Sequence, residues 1–182
     1  MSNPLEYYKQ QLETYQNEEQ KRNKQMALLS TIRVFVFLAT IFGIYMLFNF
    51  WQVASMFGII GAIVFIYLLL KYTKIKSERD FYTELVKINQ EEIQIHSGNF
   101  HHRDDGLQFQ EPNHFYSLDI DLFGIGSFFQ YINRTTVKEG TQKLANALNA
   151  NVINNIKLRQ EAIKELSSKP EWRQHYAATS AL

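Results

Sequence analysis

The residues of this 182-residue chain best able to do chemistry are clustered, but poorly spaced for it. Four of the five histidines, His96, His101, His102 and His114, fall within one short stretch. Metal ligands must converge on one ion, and none of the Cys/His spacings that achieve this is present. His101 and His102 are adjacent, so on a strand they would point to opposite faces. They are expected to be solvent-exposed loop histidines, with no metal site. Downstream, Asp119 and Asp121 alternate with Leu118, Ile120 and Leu122, which puts both carboxylates on one face of a short, half-buried strand. A carboxylate pair can serve acid–base chemistry, but no histidine or third carboxylate stands at a fixed spacing beside it. A solvated strand face accounts for it better. Arg134, Lys138 and Lys143 are the only candidate contacts to DNA phosphates. Three charges over two helices make a weak basic edge, and a solvated face is again the simpler reading. No Gly-x-x-x-x-Gly-Lys-Ser/Thr occurs, so no loop cradles a nucleotide. The absence of cysteine removes thiol nucleophiles, disulfides and thiolate zinc sites. No catalytic, cofactor-binding or metal-binding residue is expected, and no enzyme.

The elements around these residues are dominated by a run of 37, residues 34–70, that contains no charge. As one helix it would be about 55 Å long, nearly twice the ~30 Å hydrocarbon core of a bilayer. The polar break Asn49-Phe50-Trp51-Gln52 divides it into spans 34–50 and 53–70, each near the lower limit of about 17 residues for a crossing helix. Two spans joined by so short a turn form an antiparallel hairpin. Trp51 at the turn and Tyr72 beyond the far end fit the aromatic enrichment of membrane interfaces. Lys21, Arg22, Lys24 and Arg33 precede the first span and Lys71, Lys74, Lys76 and Arg79 follow the second, while the turn carries no charge. The positive-inside rule then leaves both termini in the cytoplasm. Ala54, Gly58 and Ala62, with Ala39 and Gly43, recur every four residues and offer a close-approach face between the spans. No ionisable residue lies within either span, which counts against a transporter or channel.

Charge is otherwise balanced. The net values are +1 overall, +1 over residues 1–33, −2 over 71–111 and +2 over 112–182. No segment has the basic excess expected of a strong nucleic-acid or polybasic lipid-binding patch. Asn3-Pro4 reads as a helix start. Leu5, Tyr8, Leu12, Tyr15, Glu19, Arg22, Met26 and Leu29 then follow steps of three and four, a heptad seam broken by charge at Glu19 and Arg22. Phe81, Leu85, Ile88, Glu92 and Ile95 repeat the pattern after the second span. These arms are able to zip into an antiparallel coiled coil in which contacting residue numbers sum to about 101, or to lie as separate amphipathic helices.

Gly98 closes the second arm, and Asp104-Asp105-Gly106, flanked by Phe100, Leu107 and Phe109, predicts a turn within a small β-hairpin. After the strand at 118–122, Gly126-Ser127 opens a helix over Phe128, Phe129 and Ile132. Thr135 or Thr136 caps the next, with Glu139 placed for a capping box, and that helix runs to about Leu148. A third runs from about Val152 through Ile153, Ile156, Ile163 and Leu166, and a fourth starts near Pro170. The organisation is then a cytoplasmic helix over 1–33, a transmembrane hairpin over 34–70, a juxtamembrane helix over 71–97, a loop over 98–117 and a mostly helical region over 118–182. The fold class is an all-α membrane protein with one short β element.

The order of residues in that last region resembles a known family. Asp121-Leu122-Phe123-Gly124, Ser127-Phe128-Phe129, Asn133-Arg134-Thr135, Gly140, Leu144-Ala145 and Arg159-Gln160-Glu161-Ala162 resemble the start of the core (lever) domain of MutS proteins. Asn113-His114-Phe115-Tyr116 followed by Asp119 to Gly124 is similar to the layout of its membrane-hairpin branch. The match covers about 60 residues. MutS proteins are ATP-driven clamps on DNA, so the resemblance implies a membrane-anchored, mismatch-repair-related protein at a bacterial inner membrane. In that setting the lipid bilayer is one partner, DNA belongs to the longer protein, and homodimerisation and ATP/Mg binding fall to a missing C-terminal ATPase domain. This chain would then be a fragment of a longer protein. Phe109-Gln110-Glu111 spells the family's Phe-x-Glu mismatch reader, but outside the domain that carries it. The alternative reading is a free-standing membrane adaptor whose coiled-coil arms bind a partner helix.

Overall fold

The long charge-free run and its flanking arms form two uninterrupted helices, α1 (Pro4–Met46) and α2 (Trp51–His96). A 3-10 turn follows (Leu107–Phe109), then α3 (Phe128–Ile132), α4 (Lys138–Leu148), α5 (Ile156–Ser167) and α6 (Pro170–Ser180). The computed structural model describes residues 3–150 and 154–182. The expected start of the third short helix, Val152 and Ile153, lies outside them. Two compact units emerge, residues 13–83 and residues 84–182 with the chain up to Leu12.

In the first unit α1 and α2 run antiparallel. Tyr15 meets Tyr82, Glu19 accepts a 2.8 Å hydrogen bond from Thr83 Oγ1, Arg22 pairs with Glu78 at 2.9 Å and Phe37 meets Phe65. These residue numbers sum to 97–102, as the turn-centred register requires. The two charges that interrupt the heptad seam, Glu19 and Arg22, are the ones that find polar partners across it. The connection itself is residues 47–50, two residues earlier than the break at 49–52. Val53 and Ala54 donate to Phe50 O at 2.9 and 3.0 Å, which brings Trp51 and Gln52 into the first turn of α2. The close-approach face is also corrected. Ala54 is buried, Gly58 packs on Ile44 and Gly43 on Phe57, but Gly61 against Thr40 takes the place expected for Ala62, and Ala39 and Ala62 face outward.

In the second unit α2 ends as expected at Gly98 (φ +84), where Gly98 donates to Ile95 O and Asn99 to Gln94 O. That is the two-bond Schellman closure of a helix. No strand exists among the described residues, so neither the hairpin around Asp104-Asp105-Gly106 nor the strand at 118–122 forms. The turn at Gly106 (φ +68) is real, but its Asp104 and Asp105 carboxylates cap the backbone of Gly106 and Leu107 and start the 3-10 turn. At 118–122 the chain coils. Leu122 donates to Ser117 O, Asp121 takes φ 47, and only Leu122 of the three alternating apolar residues is buried. Leu122, Phe123, Phe129 and Ala145 form the core here, ringed by Phe109, Tyr116, Leu144 and Leu148. Ser127 caps α3 by accepting from Gln130 N, and Pro170 opens α6. The capping box at Thr136 is absent: Val137 is the N-cap of α4, and Thr136 Oγ1 instead bonds Ser180 Oγ at 2.6 Å.

Candidate functional site

Two regions are candidates, one in each unit. The first is the apolar hairpin. Both long helices are long and apolar enough to cross a membrane, and within residues 34–70 twenty-three large apolar side chains stand exposed. Thr40 satisfies its hydroxyl on Val36 O at 2.7 Å, so the span presents almost no polar group sideways. Its open end is marked by Arg33, whose Cζ lies 4.2 Å from the Tyr72 ring centroid. That pair sums to 105, about four residues beyond the register of its neighbours. The guanidinium therefore reaches roughly 6 Å outward along the helix, the snorkelling expected of a cation at the edge of an apolar zone. From Trp51 to Leu70, α2 then offers twenty residues before the first cation, about 30 Å of apolar helix.

The second region is a cleft of about 620 Å³ in the helical head, lined by α2, the 133–140 segment, α6 and Tyr8. Its size suits a small ligand, yet two of its arginines are already paired with carboxylates. Arg134 grips Glu92 with Nε and Nη2 at 2.6 and 3.2 Å, and Arg103 pairs with Glu91 while donating to Asn133 O at 2.6 Å. Burial, with the neighbouring charge of Arg134 second, lowers the pKa of Arg103. Burial raises that of the Tyr8 phenol, Glu92 adds to the shift, and Arg173 opposes it. On the rim Trp172 and Tyr176 stack at 5.5 Å, both largely exposed. Deeper, Asn89 and Gln174 exchange amide hydrogen bonds in full burial.

The structure places the sequence-predicted residues as follows. Arg134 is an ion-pair partner in the cleft wall, whereas Lys138 and Lys143 stand exposed on α4. Asp119 and Asp121 are exposed in a turn. His96, His101 and His102 are exposed, with His102 3.5 Å from Glu91. His114 departs from the expected loop role: its Nδ1 accepts from Ser117 N, and Nε2 sits 2.9 Å from Asn149 O. The accepting Nδ1 leaves Nε2 as the donor. With Tyr116 donating to Leu148 O at 2.7 Å, it satisfies carbonyls at the end of α4 that the helix cannot. Phe109 packs on Phe123 and Phe129, so the Phe-x-Glu tripeptide is part of the core. Arg159 donates to Asn154 O just before α5. No group of three His, Cys, Asp or Glu among the described residues is arranged to hold a metal ion. Sequence reasoning missed the Asn89–Gln174 pair and the cleft, because both join residues about 85 positions apart.

No family model, curated protein or solved structure matches this chain.

Proposed function

We propose that this chain is a membrane anchor that fixes a helical head at the cytoplasmic face of a bacterial inner membrane, and that the head opens a MutS-like core domain. The observation that carries the anchor is the exposure of residues 34–70. Twenty-three bare apolar side chains far exceed the patches a soluble monomer tolerates, whereas lipid is their matching solvent. Cations gather at the open end and are absent from the turn, which supports cytoplasmic termini. Reporter fusions test this: a fusion in the turn should report the periplasm, and fusions at Asn3 and after Leu182 the cytoplasm. A periplasmic signal from the last would end the hairpin model.

The MutS-like reading is supported by what the matching residues do. Leu122, Phe123, Phe129 and Ala145 make one core. Asn133 Oδ1 accepts from Thr135 N and Oγ1 at 3.0 and 2.6 Å, building the Asn-x-Thr turn of the resemblance. In this reading the segment places and couples a nucleotide-driven clamp whose ATPase, dimer and DNA surfaces lie elsewhere. The residues here offer no phosphate-cradling loop, so no step is assigned to ATP or Mg²⁺, and calorimetry of the isolated chain should detect no ATP binding. A P-loop ATPase encoded downstream of Leu182 supports the reading. A stop codon directly after it would instead favour a membrane adaptor.

A further inference from the structure

Antiparallel pairing concentrates charge that the linear sequence spreads out. Residues 20–77 hold seven cations and no carboxylate. Lys21 and Arg22 are matched by Glu18 and Glu78, just outside that stretch. Lys24, Arg33, Lys71, Lys74 and Lys76 have no carboxylate partner among the described residues. In the observed register Lys24 stands level with Lys76, and the Arg33 guanidinium, carried outward, lies level with Lys71 and Tyr72. The five charges thus form a band about 8 Å deep that begins where the apolar zone ends. That depth matches the headgroup layer, roughly 5–8 Å per leaflet, and one screening length of about 8 Å at physiological salt.

Arg33 is the best-held member. It lies half-buried on the Tyr72 ring and spends a single donor on Ser30 Oγ at 3.2 Å, leaving most of a five-donor fork free. A fixed planar guanidinium takes a phosphodiester in bidentate fashion. Leu28 and Ile32 stand exposed among these cations, supplying apolar contact that a lipid satisfies and an acidic protein does not.

We propose that this band is a collar for anionic phospholipid headgroups, with Arg33 on Tyr72 as its innermost site and Lys71 and Lys74 beside it. The proposal rests on residues 34–70 spanning a bilayer. The test reconstitutes the full chain into phosphatidylcholine vesicles containing phosphatidylglycerol, with spin-labelled versions of each lipid. Electron paramagnetic resonance then gives the relative occupancy of the immobilised shell. The wild type should favour phosphatidylglycerol several-fold, since each cation near an anionic surface contributes about fivefold. Arg33→Gln should at least halve that preference, and Tyr72→Leu, which keeps every charge, should reduce it too. Adding Lys24→Gln, Lys71→Gln, Lys74→Gln and Lys76→Gln should bring it to parity, while Lys157→Gln in α5 should leave it unchanged. At about 1 M salt, where screening shortens to about 3 Å, the preference that remains should vanish in Arg33→Gln. Equal occupancy of the two lipids in the wild type, or an undiminished preference in both Arg33→Gln and Tyr72→Leu, overturns the collar. Carbonate extraction separates the two ideas. A chain stripped from vesicles defeats the spanning reading, and an inserted chain without lipid preference defeats the collar alone, leaving an acidic protein as the occupant.

Discussion

Replacing the buried amide pair of the head should destabilise it in one half and not in both. Asn89 on α2 is fully buried and Gln174 on α6 is 5 % exposed. Gln174 Nε2 donates to Asn89 Oδ1 at 2.9 Å. Asn89 Nδ2 donates to Leu85 O at 2.7 Å and, more weakly, to Gln174 Oε1 at 3.4 Å. Asn89→Leu strands both ends of the Gln174 amide in a dry site, at about 1–3 kcal/mol per unsatisfied group. With the 3.4 Å bond already weak, the net is about 2–3 kcal/mol. Gln174→Met strands only Asn89 Oδ1, because Nδ2 keeps Leu85 O, and should cost about 1–2 kcal/mol. The double variant removes every stranded group with side chains of matching shape and should lie within about 1 kcal/mol of wild type. The coupling energy is then about 2–5 kcal/mol, from the upper part of the usual range for pairs in contact to beyond it.

The readout is built into the molecule. Of two tryptophans, Trp51 lies in the hairpin and Trp172 lies on α6 two residues from Gln174. In a Trp51→Phe background, Trp172 emission reports the docking of α6 during thermal unfolding of the full chain in nanodiscs. For a unit of about 100 residues, 1 kcal/mol moves the midpoint by about 4–8 °C, so Asn89→Leu should lower it by roughly 10–20 °C and the double variant by far less. Additive losses, with the double variant as unstable as the two singles together, would refute the argument that these amides satisfy each other.

Four further outcomes follow from local geometry. Gly106→Ala adds a Cβ 2.5 Å from Phe129 Cδ1 and 3.0 Å from Phe123 Cδ1 at φ +68, so strain and overpacking should cost about 2–5 kcal/mol. Gly98→Ala, at φ +84 with nothing within 4 Å, should cost only about 1–2 kcal/mol by the same denaturation measurement. Burial raises the phenols of Tyr7 and Tyr8, with Glu171 and Glu92 respectively adding to the shift. A raised folded pKa means stability that is complete below the unfolded value near pH 10 and lost as pH climbs through the folded one. The head should loosen in base, and a Tyr7→Phe/Tyr8→Phe variant should lose that alkaline limb of Trp172 emission. His114→Phe removes the donor to Asn149 O and the acceptor for Ser117 N, and urea unfolding should show a loss of about 1–2 kcal/mol.

What the sequence revealed and what it hid divide along the distance between partners. A charge-free run with cations at both ends announces a hairpin because each residue reports its own solvent, and a fixed turn converts that into a register. Caps made by near neighbours were legible for the same reason: Ser127 for α3, Pro170 for α6, Gly98 for α2. The strand at 118–122 failed because a period of two signals a strand only where a second strand is there to bond it. Here Ser117 O takes the Leu122 N–H and Asp121 turns the chain into positive φ. Thr136 failed as a cap because Ser180, 44 residues on, offers its hydroxyl a better-placed partner. His114 read as a loop residue because the carbonyl it serves belongs to Asn149. The candidate sites follow the same division. Arg134 looked like a free cation until the fold set Glu92 beside it, and Lys24, Arg33, Lys71, Lys74 and Lys76 looked diluted because their neutralising carboxylates were counted along the chain. In space, the flanking Glu18 and Glu78 are taken up by Lys21 and Arg22, and no described carboxylate pairs with a cation of the band. An unbalanced charge is a property of the folded neighbourhood, so it is there, and not in segment totals, that a partner for this hairpin has to be sought.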